Sequence, residues 1–272
     1  MCLIAIAWQT HPRYALVVAA NRDEWRARPA EPAHFWSDRP EILAGRDEQA
    51  GGTWLGIARN GRFAAVTNFR DPSDVRATAR SRGELVTSFL SSRDEPRAFL
   101  EKIALVAREY NGFNLIAGDG SSLFYYGSTQ RELSAIAPGV HALSNHTLDE
   151  PWPKVTRARA ALDAALHASD AAADAESLGP PLFAMLSDRS AAPDAELPDT
   201  GVGLAWERRL SPPLIVGADY GTRVSTVLVV ERDGHARLVE RTLDEAGAVT
   251  GVAAFALDVG HAYATQNAAS TK

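Results

Sequence analysis

The sequence predicts an α+β fold made mainly of antiparallel sheets. Three observations point there. Apolar, β-compatible runs stand at both ends of the chain, helical spacings of three and four fill the middle, and strand and helix never alternate in the regular way a parallel sheet requires. Residues 3–9 read as a first strand, His11-Pro12-Arg13 as a turn, and residues 14–20 as a second strand that stops at the polar burst Asn21-Arg22-Asp23-Glu24. Residues 25–50 read as a loop rich in Pro and Trp. Thr53-Trp54-Leu55-Gly56-Ile57, the turn Asn60-Gly61 and residues 62–68 form a hairpin.

Residues 80–90 read as a helix that Gly83 barely interrupts, and Phe99, Ile103 and Val106 share one face of a second. Residues 114–117 and 123–126 are short strands around Gly118-Asp119-Gly120, and residues 140–144 another. Pro151-Trp152-Pro153 opens a helix with Val155, Leu162 and Leu166 on one stripe. The stretch 168–200, dominated by Ala, Asp, Ser and Pro, reads as a variable surface excursion carrying a short helix near 182–186. Residues 222–231 and 236–242 are strands joined by Asp233-Gly234, and the chain frays from Ala264. No repeat or boundary divides residues 1–272, so one domain is expected.

Composition excludes several classes. The 272 residues include 28 Lys and Arg against 34 Asp and Glu, a net charge of −6, which argues against a nucleic-acid surface. A hydrophobic fraction of 46% excludes wholesale disorder. One cysteine excludes an internal disulfide framework and any multi-cysteine zinc site, and the seven histidines show no metal-ligand spacing. With no export signal after Met1 and no run near the roughly 18 apolar residues of a membrane span, a soluble cytoplasmic protein without a membrane span is expected. Oligomeric state is not legible.

The lone cysteine stands at position two. Removal of Met1, which small second residues permit, leaves Cys2 with a free α-amine beside its thiol. That amine titrates near about 8 and can take the thiol proton, so one residue supplies nucleophile and base. Cys2 can equally be a small apolar residue of a first strand. A hairpin of the first two strands brings Arg22 and Asp23 near Cys2, where Asp23 can hold the amine and Arg22 can stabilise a thiolate; Asp23 can also cap a turn. Asn68 and Asn145 each follow a strand end and can donate to an oxyanion or form an Asx-turn. Arg223 can anchor a substrate carboxylate or sit solvated at a strand end. Trp8, Trp25, Phe35, Trp36 and Trp54 can line an apolar pocket or pack in a core.

Several blocks carry a resemblance: Asn21-Arg22-Asp23-Glu24, Gly51-Gly52-Thr53-Trp54-Leu55-Gly56, Ala65-Val66-Thr67-Asn68, Arg82-Gly83-Glu84-Leu85-Val86, Tyr110-Asn111-Gly112-Phe113-Asn114-Leu115, Leu143-Ser144-Asn145, Pro151-Trp152-Pro153-Lys154 and Tyr220-Gly221-Thr222-Arg223. In this order, to about residue 245, they resemble the NRDE family, also called the transport-and-Golgi-organisation protein 2 family. The resemblance implies an N-terminal-nucleophile hydrolase-like four-layer αββα sandwich of two stacked, mainly antiparallel sheets, similar more distantly to the penicillin V acylase and choloylglycine hydrolase group. It implies Cys2 as nucleophile with Arg22 and Asp23, and Asn68, Asn145 and Arg223 by their order. From the aromatic-rich early region, Trp25 and Trp54 are the candidate substrate contacts. The expected function is hydrolysis of a non-peptide C–N amide bond through a Cys2 thioester, with no cofactor required. The alternative is binding or trafficking of haem or an acyl lipid on the same scaffold. The expected partner is thus a small-molecule amide or an apolar ligand.

Overall fold

Strand β1 (Cys2–Trp8) is buried along its length because its two faces serve two cores. Ile4, Ile6 and Trp8 pack with Leu16, Val18 and Ala20, while Leu3, Ala5 and Ala7 pack with Val17 and Ala19 on the opposite face. The computed structural model describes residues 2–169 and 176–263. The fraying expected from Ala264 and part of the 168–200 excursion lie outside the described residues.

Strand β2 (Tyr14–Trp25) does not end at the polar burst. It runs through Asn21-Arg22-Asp23-Glu24 because neighbours pair on both sides: β1, from Trp8 opposite Leu16 to Cys2 opposite Arg22, and β11 (Tyr220–Glu231), from Glu231 opposite Tyr14 to Tyr220 opposite Trp25. Main-chain pairing therefore outweighs the polar side chains. With β10 (Gly139–Leu143), β12 (His235–Leu243) and β13 (Val249–Asp258), these strands form an antiparallel sheet in the order β10-β1-β2-β11-β12-β13.

The second antiparallel sheet follows chain order: β3 (Ala30–Phe35), β4 (Ile42–Asp47), β5 (Leu55–Ala58), β6 (Phe63–Asn68), β7 (Phe113–Gly118), β8 (Leu123–Gly127) and β9 (Glu132–Ala135). The inner faces of the two sheets share one core, in which Ile57, Phe63 and Ile116 meet Ile4, Val18 and Leu228. Helices α1 (Gly83–Ser91) and α2 (Pro96–Val106) cover the outer face of the second sheet, placing Leu85, Phe89, Phe99 and Ile103 against Val66 and Leu115. Helices α3 (Pro153–Ala168) and α4 (Gly179–Leu186) cover the first, placing Val155, Leu162, Leu182 and Leu186 against Leu3, Ala5 and Val17. The order of layers is helix, sheet, sheet, helix, the expected αββα sandwich.

Four strands and a helix go beyond the sequence expectations. The stretch read as a Pro- and Trp-rich loop carries β3 and β4, and β9, β13 and α5 (Leu204–Leu210) were not anticipated. β3 breaks its alternation at a register shift between Glu31 and His34, and β9 has four residues at a sheet edge. β13 is an edge strand whose alternate positions face solvent. Within the segment read as a surface excursion, α4 buries Leu182, Phe183, Met185 and Leu186. Gly83 starts α1 rather than interrupting it: a Cβ on Gly52 would lie 2.5 Å from the Gly83 carbonyl carbon, so the two glycines let loop and helix backbones touch.

Candidate active site

Strand register places the candidate side chains before any side-chain contact is considered. Cys2 and Arg22 are directly opposite across β1 and β2, so both fall on the face that looks between the sheets. The next residue, Asp23, falls on the opposite face, towards α3 and α4. Asn21 shares that face: its side-chain amide donates to the carbonyls of Leu186 and Pro213, 2.9 Å each, and its oxygen accepts from the Ser225 hydroxyl at 2.6 Å. The last strand residues before the turn of sheet into cleft thus separate a guanidinium from a carboxylate by parity alone.

Cys2 is 6% exposed and borders a cleft of about 380 Å³ that Arg22, Asp23, Asn68 and Trp54 also line. Arg22 Nη2 lies 3.4 Å from Glu24 Oε2 and 3.8 Å from Asp47 Oδ2. Burial pushes the Cys2 thiol up and Asp23 adds to that, while Arg22 and the backbone N–H of Asp23 pull it down. Asp23 is buried, and its Oδ1 accepts from the Thr222 hydroxyl at 2.7 Å. Burial pushes its carboxyl up, opposed first by Lys154 and then, among side chains, by Thr222 and Arg70. Thr222 is fully buried and its hydroxyl also accepts from the Ile215 N–H at 2.9 Å.

The remaining predicted residues divide. Asn68, at the end of β6, lines the cleft. Asn145 is fully buried and its amide donates to the Asn68 carbonyl at 3.0 Å, while its own carbonyl accepts from the Arg70 N–H at 2.7 Å; it supports Asn68 from behind and is not among the cleft-lining residues. Arg223 lines the cleft from a bulge between Thr222 and Val224 and donates to the Trp25 and Arg28 carbonyls. Trp25 is 50% exposed, stacks edge-on against Trp206 and Tyr220, and does not line the cleft. Of the other aromatic residues considered for an apolar pocket, Trp8 meets Tyr263, Phe35 meets Phe255, and Trp36 is buried with its indole N–H on the Ala44 carbonyl. These three pack in the core.

Sequence reasoning missed Arg82, Thr222, Lys154 and the Arg70–Glu207 pair as site residues. Arg82 lines the cleft and donates to the Gly112 carbonyl at 3.1 Å; burial pushes it down, and Cys2 and Glu24 oppose that. Arg70 and Glu207 form a buried pair at 2.5 Å, and Arg70 also lies 4.6 Å over the Trp152 ring. Lys154 is 1% exposed, and its Nζ has no hydrogen-bond partner among the described residues. One signal could have exposed it: a cation in the first turn of a helix opposes the helix dipole, so its presence after Pro153 calls for another reason. No grouping of His, Cys, Asp and Glu suited to a metal ion occurs among the described residues, and no helix among them is long and apolar enough to cross a membrane.

With this geometry in place, the comparisons with known proteins are specific. A conjugated bile acid hydrolase from Clostridium perfringens superposes with a TM-score of 0.50 at 10% identity, covering 94% of this chain and 92% of that one. At that identity the likeness establishes the fold, that of the N-terminal-nucleophile hydrolases, and nothing further. The bovine Transport and Golgi organization protein 2 homolog is 39% identical over 264 residues, covering 89% of this chain and 93% of its own length. The human homolog is 36% identical over 259 residues, with the same coverage. The family model described as Transport and Golgi organisation 2 matches residues 1–245, and the chain therefore belongs to that family, the NRDE family whose signature runs through β2.

Proposed function

We propose that this protein is an N-terminal cysteine amidohydrolase that cleaves a non-peptide C–N amide bond through a thioester on Cys2. The observation that carries this reading is the register of β1 and β2: Cys2 borders the cleft directly opposite Arg22, with Asp23 one residue on. After loss of Met1, the Cys2 α-amine takes the thiol proton and the thiolate attacks the amide carbonyl carbon. A C–S bond forms, and the carbonyl oxygen takes the negative charge beside the Asn68 amide, which Asn145 holds in place through the Asn68 carbonyl. Collapse breaks the C–N bond, and the amine departs with the proton returned by the α-amine. Water then adds to the acyl carbon, the acid leaves, and sulfur recovers its proton. Every role in these steps is taken by the chain itself.

The cleft wall supports a polar amide over an apolar cargo such as haem or an acyl lipid. Arg22, Arg82 and Arg223 face it with Glu24 and Asp47, and of the aromatic residues considered only Trp54 reaches it. These guanidiniums stabilise a thiolate, and Arg223 anchors a substrate carboxylate. The test is acylation by a β-lactone, in protein whose intact mass confirms loss of Met1. The expected result is one acyl increment on the peptide beginning at Cys2, absent from Cys2→Ala. Unmodified Cys2 in such protein refutes the assignment.

A further inference from the structure

We propose that Ser144 is a positioning residue of the Cys2 site: its hydroxyl is shared between the Cys2 main-chain carbonyl and the Asn145 side chain, and so aligns the nucleophile with the Asn68 amide. This rests on the reading of Cys2 as nucleophile and of Asn68 as oxyanion donor.

A run of buried hydrogen bonds carries the proposal. Main-chain pairing of β1 with β10 ends at Ile4 opposite Leu143. Beyond that point the Ser144 hydroxyl reaches across and donates to the Cys2 carbonyl at 3.0 Å. The same hydroxyl lies 3.2 Å from Asn145 Oδ1, and the Asn145 amide donates to the Asn68 carbonyl at 3.0 Å. A hydroxyl has one proton, so the two acceptors share it. Ser144 is itself held from the second sheet. The Thr67 hydroxyl donates to the Ser144 carbonyl at 2.7 Å, the Asn114 amide donates to Thr67 Oγ1 at 3.1 Å, and the Tyr125 hydroxyl donates to Asn114 Oδ1 at 2.7 Å. Each donor in that chain points towards Cys2. Thr67, Asn114, Tyr125, Ser144 and Asn145 are all at most 1% exposed.

The consequence is mechanical. Loss of Met1 makes Cys2 a chain terminus, and a terminus frays unless it is tied down. The peptide unit joining Cys2 to Leu3 is planar, so holding its carbonyl fixes the Cys2 Cα, from which both thiol and amine hang. The Asn145 side chain has one orientation that suits both its neighbours, with its oxygen towards Ser144 and its nitrogen towards the Asn68 carbonyl. A buried polar network rigidifies its surroundings when every member is satisfied. The two sheets do not need it for cohesion, since the apolar core between them already joins them. Neither Ser144 nor Asn145 lines the cleft, so Ser144 acts on the chemistry only through Cys2 and Asn68.

The test compares two reactions of Cys2 in the full chain, in protein whose intact mass confirms loss of Met1. Acylation by a β-lactone needs an aligned thiolate and an oxyanion donor, whereas alkylation by iodoacetamide needs only a thiolate. In Ser144→Ala the maximal acylation rate should fall about tenfold or more, with the half-saturating lactone concentration unchanged and alkylation within about twofold of wild type. Asn68→Ala should lower acylation about 100-fold, and adding Ser144→Ala to it should lower it by less than about threefold further. A serine needed only for folding would slow or speed both reactions together, and its effect would multiply with that of Asn68→Ala. Unchanged acylation in Ser144→Ala, equal changes in the two reactions, a rise in half-saturating concentration at an unchanged maximal rate, or full multiplication in the double variant overturns the proposal. If Ser144→Ala does not fold, Thr67→Val, which removes the donor to the Ser144 carbonyl, is judged by the same ratio of acylation to alkylation. Failure of both variants to fold would make the network structural and also overturn it. A wild-type chain that forms no lactone adduct removes the nucleophile and this role of Ser144 together, whereas an adduct that Ser144→Ala forms just as fast removes Ser144 alone.

Discussion

Thr222→Val is nearly isosteric and tests the buried support of Asp23 directly. The Thr222 hydroxyl donates to Asp23 Oδ1 at 2.7 Å and accepts from the Ile215 N–H at 2.9 Å, at a residue with no exposure. Valine removes both bonds and keeps nearly the same shape. A hydrogen bond to a charged group contributes about 1.5–3 kcal/mol, and an orphaned buried N–H costs about 1–3 kcal/mol. The two losses share one atom and do not add fully, so about 3 kcal/mol of destabilisation is expected. Thr222→Ser keeps the hydroxyl and loses one buried methyl, so it should cost only about 1 kcal/mol. Urea unfolding of the three proteins, followed by tryptophan fluorescence, measures the difference. With a slope of about 2–3 kcal/mol per molar, the valine midpoint should fall by about 1 M, and the serine midpoint by less than half of that. Equal midpoints for valine and serine would show that the hydroxyl carries no net stabilisation, and the assignment of Thr222 as the prop beneath Asp23 would fail.

Gly52→Ala should destabilise by about 1–3 kcal/mol in the same assay, because its Cβ would meet main-chain atoms of Gly83 and Glu84 rather than a yielding side chain. An unchanged midpoint would show that the loop can move off α1 freely. The ammonium of Lys154 is held near 8 in the folded chain, below its ordinary value of 10.5, so between those pH values the unfolded chain binds more protons and stability rises with pH. Wild type should gain up to about 3 kcal/mol over Lys154→Met across that window. A parallel pH dependence in the two proteins would contradict the burial assigned to this lysine.

What could be read in advance followed from burial on two faces. Continuous apolar runs such as residues 3–8 and 14–20 announce central strands because no position along them meets water. The helices over the second sheet were legible for the complementary reason: Phe99 and Ile103 face a core while Glu101 and Lys102 do not. Edge strands gave no such signal. In β13, the exposed positions Val252, Ala254 and Ala256 are apolar like the inward ones, so no apolar–polar alternation marks it, and pairing with β12 makes it a strand. At the site, the juxtaposition of Cys2, Arg22 and Asp23 was legible because hairpin geometry fixes it from chain order. Lys154 left one faint trace, a cation in the first turn of α3 where the helix dipole disfavours it, but nothing in the sequence tells that its ammonium is buried. The division between Asn68 and Asn145 was hidden as well, since both follow strands and only the bond from one to the other's carbonyl separates cleft wall from support.

The alternation of faces along β2 makes this site behave like a combination lock with a single tumbler. A slip of one residue against β1 would bring Asp23 level with the sulfur and drive a guanidinium through to the underside, towards a lysine. Alignment of two neighbouring strands and competence for chemistry are then one event. A molecule that has lost the first has no intermediate condition in which the second survives, so a population of such chains would hold working copies and inert ones, with few that are merely impaired.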